Sequence, residues 1–148
     1  MLTDVVHRIS LVVPVYCGEK TLSTLIQEIA PLTKEQITPN GNRFVICDLL
    51  LVHDCGPDRS DKAIEALVHQ YAFVQPIWLS RNYGQHAATL AGMASATGEW
   101  VVTIDEDGQQ NPFDIRAMLD CALGSLSLIH ISEPTRRTPI SYAVFCLK

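Results

Sequence analysis

Short apolar runs alternate with segments of helical periodicity along most of the chain, and this alternation constrains the fold more than any other feature. Strands that alternate with helices form a mostly parallel sheet, because the helices act as right-handed crossovers between parallel strands. The predicted strands lie at 9–15, 44–52, 77–79 and 100–104, and the predicted helical stripes at 22–29, 64–71, 85–97 and 115–122. The pattern therefore predicts an α/β, Rossmann-like fold with helices flanking the sheet.

Individual residues mark where these elements begin and end. Pro76 predicts an edge position or a strand start for the third strand, because proline cannot donate to a sheet ladder. Gly98 is predicted to stop the third helix, whereas Asn111 and Pro112 are predicted to cap and begin the fourth. These signals divide most of the chain into four strand–helix units.

Three predicted loops directly follow strands, at 14–19, 53–60 and 105–110. Ligands of parallel α/β sheets bind beyond the carboxyl ends of the strands. We therefore expect these loops to meet at one edge of the sheet and to form the functional site.

An acidic triplet, Asp105, Glu106 and Asp107, follows the fourth predicted strand. Adjacent acids at the end of a buried strand repel one another unless a cation or solvent compensates. Carboxylate oxygens suit Mg²⁺ or Mn²⁺, and these ions in turn bridge phosphate oxygens. Taken by itself, the triplet could equally be a solvated acidic loop, but its position after a buried strand favours a metal site on Asp105 and Asp107.

The ends of the first two strands offer groups suited to a nucleobase. Asp54 can accept a hydrogen bond from a base N–H, and Pro14 and Tyr16 provide a flat apolar surface beside it. The alternative is that the aspartate caps the following helix or forms a turn, a role that fits Asp58 better.

The segment that follows the third strand, 81–86, is a candidate phosphate-binding loop. Gly84 allows the backbone to approach a ligand closely, and Arg81 could meet a phosphate. The alternative is an ordinary loop and helix start. His86 is not predicted to bind metal, since no second histidine lies at ligand spacing.

Composition narrows the class of protein further. The 148 residues carry a net charge of −5, so no basic field attracts nucleic acid. No apolar run approaches the about 20 residues of a membrane-spanning helix. The five cysteines show no C-x-x-C spacing and are predicted to be reduced in a cytoplasmic setting, and those at strand positions are predicted to be small core residues.

The last stretch, 125–148, breaks the alternating pattern. It contains Pro134, Pro139 and the basic pair Arg136–Arg137, and it lacks a helical stripe. The string SLIHISEPTRRTPISYAVFCLK resembles the conceptual translation of sequencing-adapter DNA. We predict that 125–148 is a non-native tail; a genuine edge strand at 140–147 is the alternative.

Three segments together resemble family 2 glycosyltransferases of the GT-A fold, in particular the branch similar to dolichyl- and undecaprenyl-phosphate sugar transferases. They are SLVVPVYCGEKTL, LLLVHDCGPDRS and LSRNYGQHAATLAGMASATGEWVVTIDEDGQQNP. The resemblance covers 9–123. It implies nucleotide contacts at Pro14, Tyr16, Val52 and Asp54, and metal and diphosphate contacts at Asp105, Glu106 and Asp107, with Gln109 nearby.

The chain departs from the family pattern in the first two segments. Cys17 replaces the usual Asn, His53 replaces the first Asp of an Asp–Asp pair, and Cys55–Gly56 replaces the common Gly–Ser. Gly18 stands where Glu is frequent, which leaves Glu19 as a substitute one residue later. We therefore add Glu19 to the predicted nucleotide-sugar-binding residues. Arg81 of the candidate phosphate-binding loop completes this set.

The resemblance implies that 1–124 is the nucleotide-sugar-binding part of a glycosyltransferase domain truncated after its metal-binding motif. The expected reaction is metal-dependent sugar transfer from a nucleotide-diphosphate sugar to a polyprenyl phosphate or glycan acceptor, at the cytoplasmic face of a membrane. Membrane helices and the acceptor-binding half are expected beyond this part, which shows no candidate catalytic base. The alternatives are a nucleotidyltransferase and a non-catalytic nucleotide-binding fragment.

Overall fold

The computed structural model describes residues 5–107, 111–125 and 143–146. The strands are β1 (Val6–Val15), β2 (Gln36–Ile37), β3 (Arg43–His53), β4 (Val74–Trp78), β5 (Trp100–Thr103) and β6 (Ala143–Cys146). The helices are α1 (Leu22–Ile29), α2 (Ser60–Gln70), α3 (Gln85–Ser95) and α4 (Ile115–Ser125), with short 3-10 helices at Ala30–Thr33 and Pro112–Asp114.

Four parallel strands form the centre of the sheet. β1 lies between β3 and β5, and β4 pairs with the second half of β3. The spatial order is therefore β4-β3-β1-β5, the order of a doubly wound dinucleotide-binding sheet. β2 and β6 add antiparallel pairs to β3 and β5. The predicted α/β fold with a mostly parallel sheet is confirmed.

The two faces of the sheet bury unequal cores. Helices α1, α2 and α4 cover one face, where residues such as Leu25, Ile64 and Ile115 pack on the strands in a large cluster. Of the described helices, α3 alone covers the other face, in a small cluster. A Cβ at Gly92 would lie 2.3 Å from Cγ1 of Val12, so the glycine lets α3 approach β1 closely. The continuous runs of buried residues on the central strands follow from this two-sided burial.

Most predicted elements are confirmed with shifted ends. β4 begins at Val74, three residues earlier than predicted, and includes Pro76 within the strand. Among the described strands β4 pairs with β3 alone, which confirms the predicted edge position. Asn111 caps the turn that leads into α4, because its Oδ1 accepts from the N–H of Phe113 at 3.0 Å. The sequence pattern missed β2, which is too short to show an alternation.

The prediction that Gly98 stops α3 is wrong. The helix ends at Ser95, and Ala96 is its C-cap. The N–H of Gly98 donates instead to Oγ of Ser10 at 2.8 Å, and a Cβ there would lie 2.8 Å from the backbone nitrogen of Ser10. Glycine is required here for the close approach of the α3–β5 connection to β1.

The described cysteines are free thiols outside the core. Cys47, in β3, is half-buried, which contradicts the prediction of core burial for cysteines at strand positions, whereas Cys17, Cys55 and Cys121 are exposed. Cys17 and Cys55 lie in the loops that follow β1 and β3.

The backbone of Ala143–Cys146 pairs antiparallel with β5, as the alternative interpretation of the tail allowed. The non-native origin of 125–148 stays a prediction. No helix in the described part of the chain combines the length and apolarity needed to cross a bilayer.

Candidate functional site

A cleft of about 430 Å³ opens at the carboxyl edge of the parallel strands. Its lining comes from the segments that follow β1, β3, β4 and β5, and it consists of Pro14, Val15, Tyr16, Asp54, Asn82, Gly84, Gln85, Asp105, Glu106 and Asp107. The predicted convergence of the loops after β1, β3 and β5 at one edge is therefore confirmed. The fold brings residues from four separate segments into one site.

Asp54 lines the cleft and is only 3% exposed. Its Oδ1 accepts from the N–H of Tyr83 at 2.8 Å, and its Oδ2 accepts from the N–H of Gly84 at 3.1 Å. Nδ2 of Asn82 donates to the backbone oxygen of Asp54 at 2.9 Å. Asp54 therefore holds the β4–α3 loop in place. A carboxylate has about four acceptor positions, so these two bonds leave acceptor capacity for a ligand.

Gly84 sets the conformation of this loop at the start of α3. Its φ of +96° is strained for residues with a side chain, although no atom lies within 4 Å of an added Cβ. The next residue, Gln85, begins α3 and donates from Nε2 to Oδ1 of Asp105 at 3.1 Å. This contact joins the α3 side of the cleft to the acidic triplet.

The three acids of the triplet are not equivalent. Asp105 is half-buried, Asp107 is exposed, and both line the cleft that Asp54 and Tyr16 share. Glu106 also reaches this cleft, but its carboxylate accepts from two backbone N–H groups of the segment after β1. The two predicted metal ligands therefore face the predicted nucleotide site.

Burial raises the pKa of the Glu106 carboxyl group. The hydrogen bonds from backbone N–H groups favour the charged form and act against this shift, while repulsion from Asp58 and Asp107 reinforces it. Negative charge is therefore concentrated on this side of the cleft. Within the described residues, no group of three His, Cys, Asp or Glu side chains is arranged to hold a metal ion.

The segment after β1 uses its backbone N–H groups within the protein. The N–H groups of Tyr16 and Cys17 donate to Glu106 at 2.7 and 2.8 Å. The next two N–H groups, of residues 18 and 19, donate to Oγ of Ser60 at 2.8 Å and Oδ2 of Asp58 at 3.1 Å. In dinucleotide-binding folds, N–H groups of this loop hold phosphate. Here side chains of the protein accept all four.

Asp58 links the segment after β1 to the start of α2. Oδ1 of Asp58 accepts from the backbone N–H of Ser60 at 3.0 Å and also from its hydroxyl group. This is the helix-start role that the sequence favoured for Asp58. Gly56 lies directly against the first loop, because a Cβ there would be 1.6 Å from the backbone oxygen of Tyr16. The loops after β1 and β3 are thus packed together without room for a side chain at 56.

Three predicted nucleotide-binding side chains lie outside the cleft. Val52 is fully buried and packs beneath α3, 3.1 Å from an added Cβ at Gly92. The guanidinium group of Arg81 lies 4.8 Å from the ring centroid of Tyr83. The carboxylate of Glu19 accepts from the N–H of Arg59 at 3.3 Å. Another predicted residue, Gln109, lies outside the described residues.

The sequence interpretation missed two polar side chains of the site, those of Asn82 and Gln85. Both belong to the segment 81–86 that follows β4, but only its arginine and glycine were singled out. Polar residues at the carboxyl end of a parallel strand were the available signal. The contact of Gln85 with Asp105 depends on how α3 is oriented, which periodicity does not specify.

The doubly wound sheet, with a cleft at the carboxyl edge of its parallel strands, defines the fold class, and the sequence identifies the family. Residues 10–123 match the family model described as glycosyl transferase family 2. The chain belongs to this family.

The relatives include two bacterial enzymes of the same name. The chain is 32% identical over 137 residues to the undecaprenyl-phosphate 4-deoxy-4-formamido-L-arabinose transferase of Pectobacterium carotovorum subsp. carotovorum (strain PC1), covering 92% of this chain and 40% of the relative. It is 35% identical over 141 residues to the enzyme of that name from Pseudomonas aeruginosa (strain LESB58), covering 90% and 40%. The chain therefore spans about two fifths of the length of these relatives.

Solved structures of glycosyltransferases share the fold. S. aureus TarS 1–349 in complex with UDP-GlcNAc has a TM-score of 0.61 and 23% identity, covering 89% of this chain and 37% of that one. The mannosyltransferase PcManGT from Pyrobaculum calidifontis, in complex with GDP-Man and Mn²⁺, has a TM-score of 0.61 and 18% identity, covering 89% and 34%. The predicted GT-A fold is confirmed.

Proposed function

We propose that this chain binds the donor for a metal-dependent family 2 glycosyltransferase that transfers a sugar from a nucleotide-diphosphate sugar to a polyprenyl phosphate. Membership of the family supports sugar transfer. The names of the two bacterial relatives support a polyprenyl-phosphate acceptor. A nucleotide sugar and Mn²⁺ in a neighbour with the same fold support the donor and the ion.

The observation that carries the proposal is the shared cleft of Asp105, Asp107, Asp54 and Tyr16. Four carboxylates and no Lys or Arg are among the residues that line the described cleft. A diphosphate would be repelled there unless a cation neutralises it. Moreover, the loop after β1 already uses four N–H groups internally, so it does not offer them to the diphosphate. Asp105 and Asp107 would hold a divalent ion, whose charge would neutralise the diphosphate and so remove both conflicts.

The donor set fits such an ion. Asp105 and Asp107 supply hard oxygen ligands two residues apart, and Mg²⁺ and Mn²⁺ are commonly held by one or two carboxylates together with substrate phosphates. Exposure of Asp107 leaves room for phosphate oxygens and water to complete the ligands. When bound, the ion would stabilise negative charge on the departing diphosphate.

The residues of the cleft would position the reactants. Tyr16, with 48% of its surface exposed, offers an aromatic face to a nucleobase, and Asp54 retains acceptor capacity for a base N–H. A polyprenyl-phosphate oxygen is already anionic and needs little help from a base, whereas a glycan hydroxyl requires one.

Calorimetric titration with UDP and GDP, with and without Mn²⁺, tests donor binding. We expect Mn²⁺ to strengthen binding, and Asp107→Ala to abolish this gain because the aspartate supplies a ligand of the ion. Asp114→Ala, which removes an exposed acid outside the described cleft lining, should leave binding unchanged. Binding that ignores both Mn²⁺ and Asp107→Ala would refute the metal assignment.

A turnover assay with a polyprenyl phosphate distinguishes a glycosyltransferase from the two alternative functions. Sugar transfer to the lipid supports the proposal. Metal-dependent binding without transfer would favour a non-catalytic nucleotide-binding chain. Release of pyrophosphate from a nucleoside triphosphate would instead favour a nucleotidyltransferase.

A further inference from the structure

Glu106 makes contacts that set it apart from the two aspartates beside it. Its Oε2 accepts from the N–H of Tyr16 at 2.7 Å, and its Oε1 accepts from the N–H of Cys17 at 2.8 Å. Its backbone oxygen accepts from Oγ1 of Thr21 at 2.6 Å. Three hydrogen bonds thus join residue 106 to the segment 16–21, which we call the base loop.

The base loop is shaped to receive this carboxylate. A Cβ at Gly18 would lie 3.0 Å from Oε2 of Glu106 and 2.8 Å from Cγ of Leu22. A side chain at 18 would therefore press on both the carboxylate and the first residue of α1. Both carboxylate oxygens of Glu106 point at adjacent N–H groups of one loop, a geometry that fixes the direction of the backbone at Tyr16.

We propose that Glu106 is a positioning residue that holds the base loop, and with it Tyr16, in the orientation that receives the nucleobase. This inference rests on the proposed function, since it assumes that a nucleoside binds beside Tyr16. Asp105 and Asp107 hold the ion in the same proposal, so three consecutive residues build two subsites. The side chain between the two metal ligands serves the base rather than the ion.

Two predictions distinguish this role from metal binding. Removal of the Glu106 carboxylate should weaken binding of a nucleoside, which has no phosphate for the ion to bridge. It should affect Mn²⁺ binding far less than Asp107→Ala does. A residue that ligated the ion would give the opposite pattern.

Amide hydrogen exchange tests the contact itself, without any ligand. In Glu106→Gln the side chain can accept from only one N–H group and turns its own NH₂ group toward the other. Glu106→Asp keeps the charge but is one methylene too short to reach both. We expect the amides of Tyr16 and Cys17 to exchange about tenfold faster in both variants than in the unaltered chain.

Equilibrium titration with uridine and with guanosine, and Mn²⁺ binding followed by electron paramagnetic resonance, test the consequence. We expect both variants to bind the preferred nucleoside about tenfold more weakly, the loss of about one well-placed contact. Mn²⁺ affinity should change by about threefold or less in Glu106→Asp, because the charge is retained. Glu65→Gln, an exposed change on α2, is the matched control and should alter none of these values.

Each result decides one part of the inference. Unchanged exchange at Tyr16 and Cys17 would refute the contact, and faster exchange with unchanged nucleoside affinity would refute its role. Loss of Mn²⁺ binding in Glu106→Asp would make Glu106 a ligand of the ion instead. If the unaltered chain binds neither nucleoside, the proposed function and the nucleobase role both fail, whereas the exchange rates still decide whether Glu106 holds the loop. Circular dichroism of each variant confirms that the comparison is between folded proteins.

Discussion

Asp54 and Glu106 both line the cleft and make the same kind of contact. Each follows a parallel strand, and each accepts from two consecutive backbone N–H groups of a neighbouring loop. Asp54 holds the β4–α3 loop, whereas Glu106 holds the segment after β1. The same arrangement, a carboxylate that accepts from two consecutive N–H groups, therefore holds both of these loops.

The two sites differ in burial. Asp54 is 3% exposed and anchors its loop within the body of the protein, while Glu106 is half-buried at the cleft. A hydrogen bond to a charged group contributes more where water cannot replace it. The contact that holds the β4–α3 loop therefore contributes more to the stability of the fold. The segment after β1 can be released at a smaller cost in unfolding free energy.

Replacement of each carboxylate by alanine tests this difference most directly. Asp54→Ala leaves the N–H groups of Tyr83 and Gly84 without their acceptor in a buried position, and we expect a loss of roughly 3 kcal/mol of unfolding free energy. Water can reach the N–H groups exposed by Glu106→Ala, so we expect a loss of about 1 kcal/mol. Urea denaturation of the two variants measures both values. Equal losses would break the comparison.

Asp58 extends the comparison to pH. Burial raises its pKa, but hydrogen bonds from Ser60 and from the N–H of Glu19 outweigh this effect and hold the pKa of the Asp58 carboxyl group below its usual range. A depressed folded-state pKa stabilises the protein above the unfolded pKa, and this stabilisation is lost as the pH falls through the folded pKa.

We therefore expect Asp58→Asn to be less stable than the unaltered chain above about pH 5, with the difference shrinking as the pH falls below about 4. Denaturation of both proteins across this range measures the difference. Asp114→Asn, at an exposed position on the turn before α4, serves as the control and should show no such trend. A difference that is constant with pH would contradict the role assigned to the Asp58 carboxylate.

The sequence predicted the fold well because the signals it used are local. Continuous apolar runs such as 9–15 specify strands buried on both faces, and the stripe of Leu22, Leu25, Ile26 and Ile29 specifies a helix with one buried face; all four side chains are buried. The order of strands then placed Asp54, Asp105 and Asp107 at one edge. No distant contact had to be known for these steps.

The contacts that shape the cleft could not be predicted in this way. Glu106 and Tyr16 lie 90 positions apart, and their hydrogen bond depends on the path of two irregular loops. A shift of one residue was enough to take Glu19 out of the cleft, since its carboxylate meets the N–H of Arg59 instead. Likewise, the family resemblance implied a nucleotide contact at Val52, although its side chain packs beneath α3.

Cys55, directly after Asp54, provides the smallest test of the β3 side of the cleft. Its φ of +51° lies in the left-handed region, where a side chain costs about 1 kcal/mol relative to glycine. Its thiol donates weakly to the backbone oxygen of Leu79 at 3.1 Å, which offsets part of that cost. We expect Cys55→Gly to raise the unfolding free energy by about 0.5 kcal/mol, whereas Gly84→Ala, which introduces a side chain at a φ of +96°, should lower it by about 1 kcal/mol. Thermal denaturation measures both variants. If Cys55→Gly stabilises the protein and Gly84→Ala destabilises it, backbone conformation rather than side-chain contact limits stability around Asp54. If both variants are less stable, the thiol contact of Cys55 outweighs its strain.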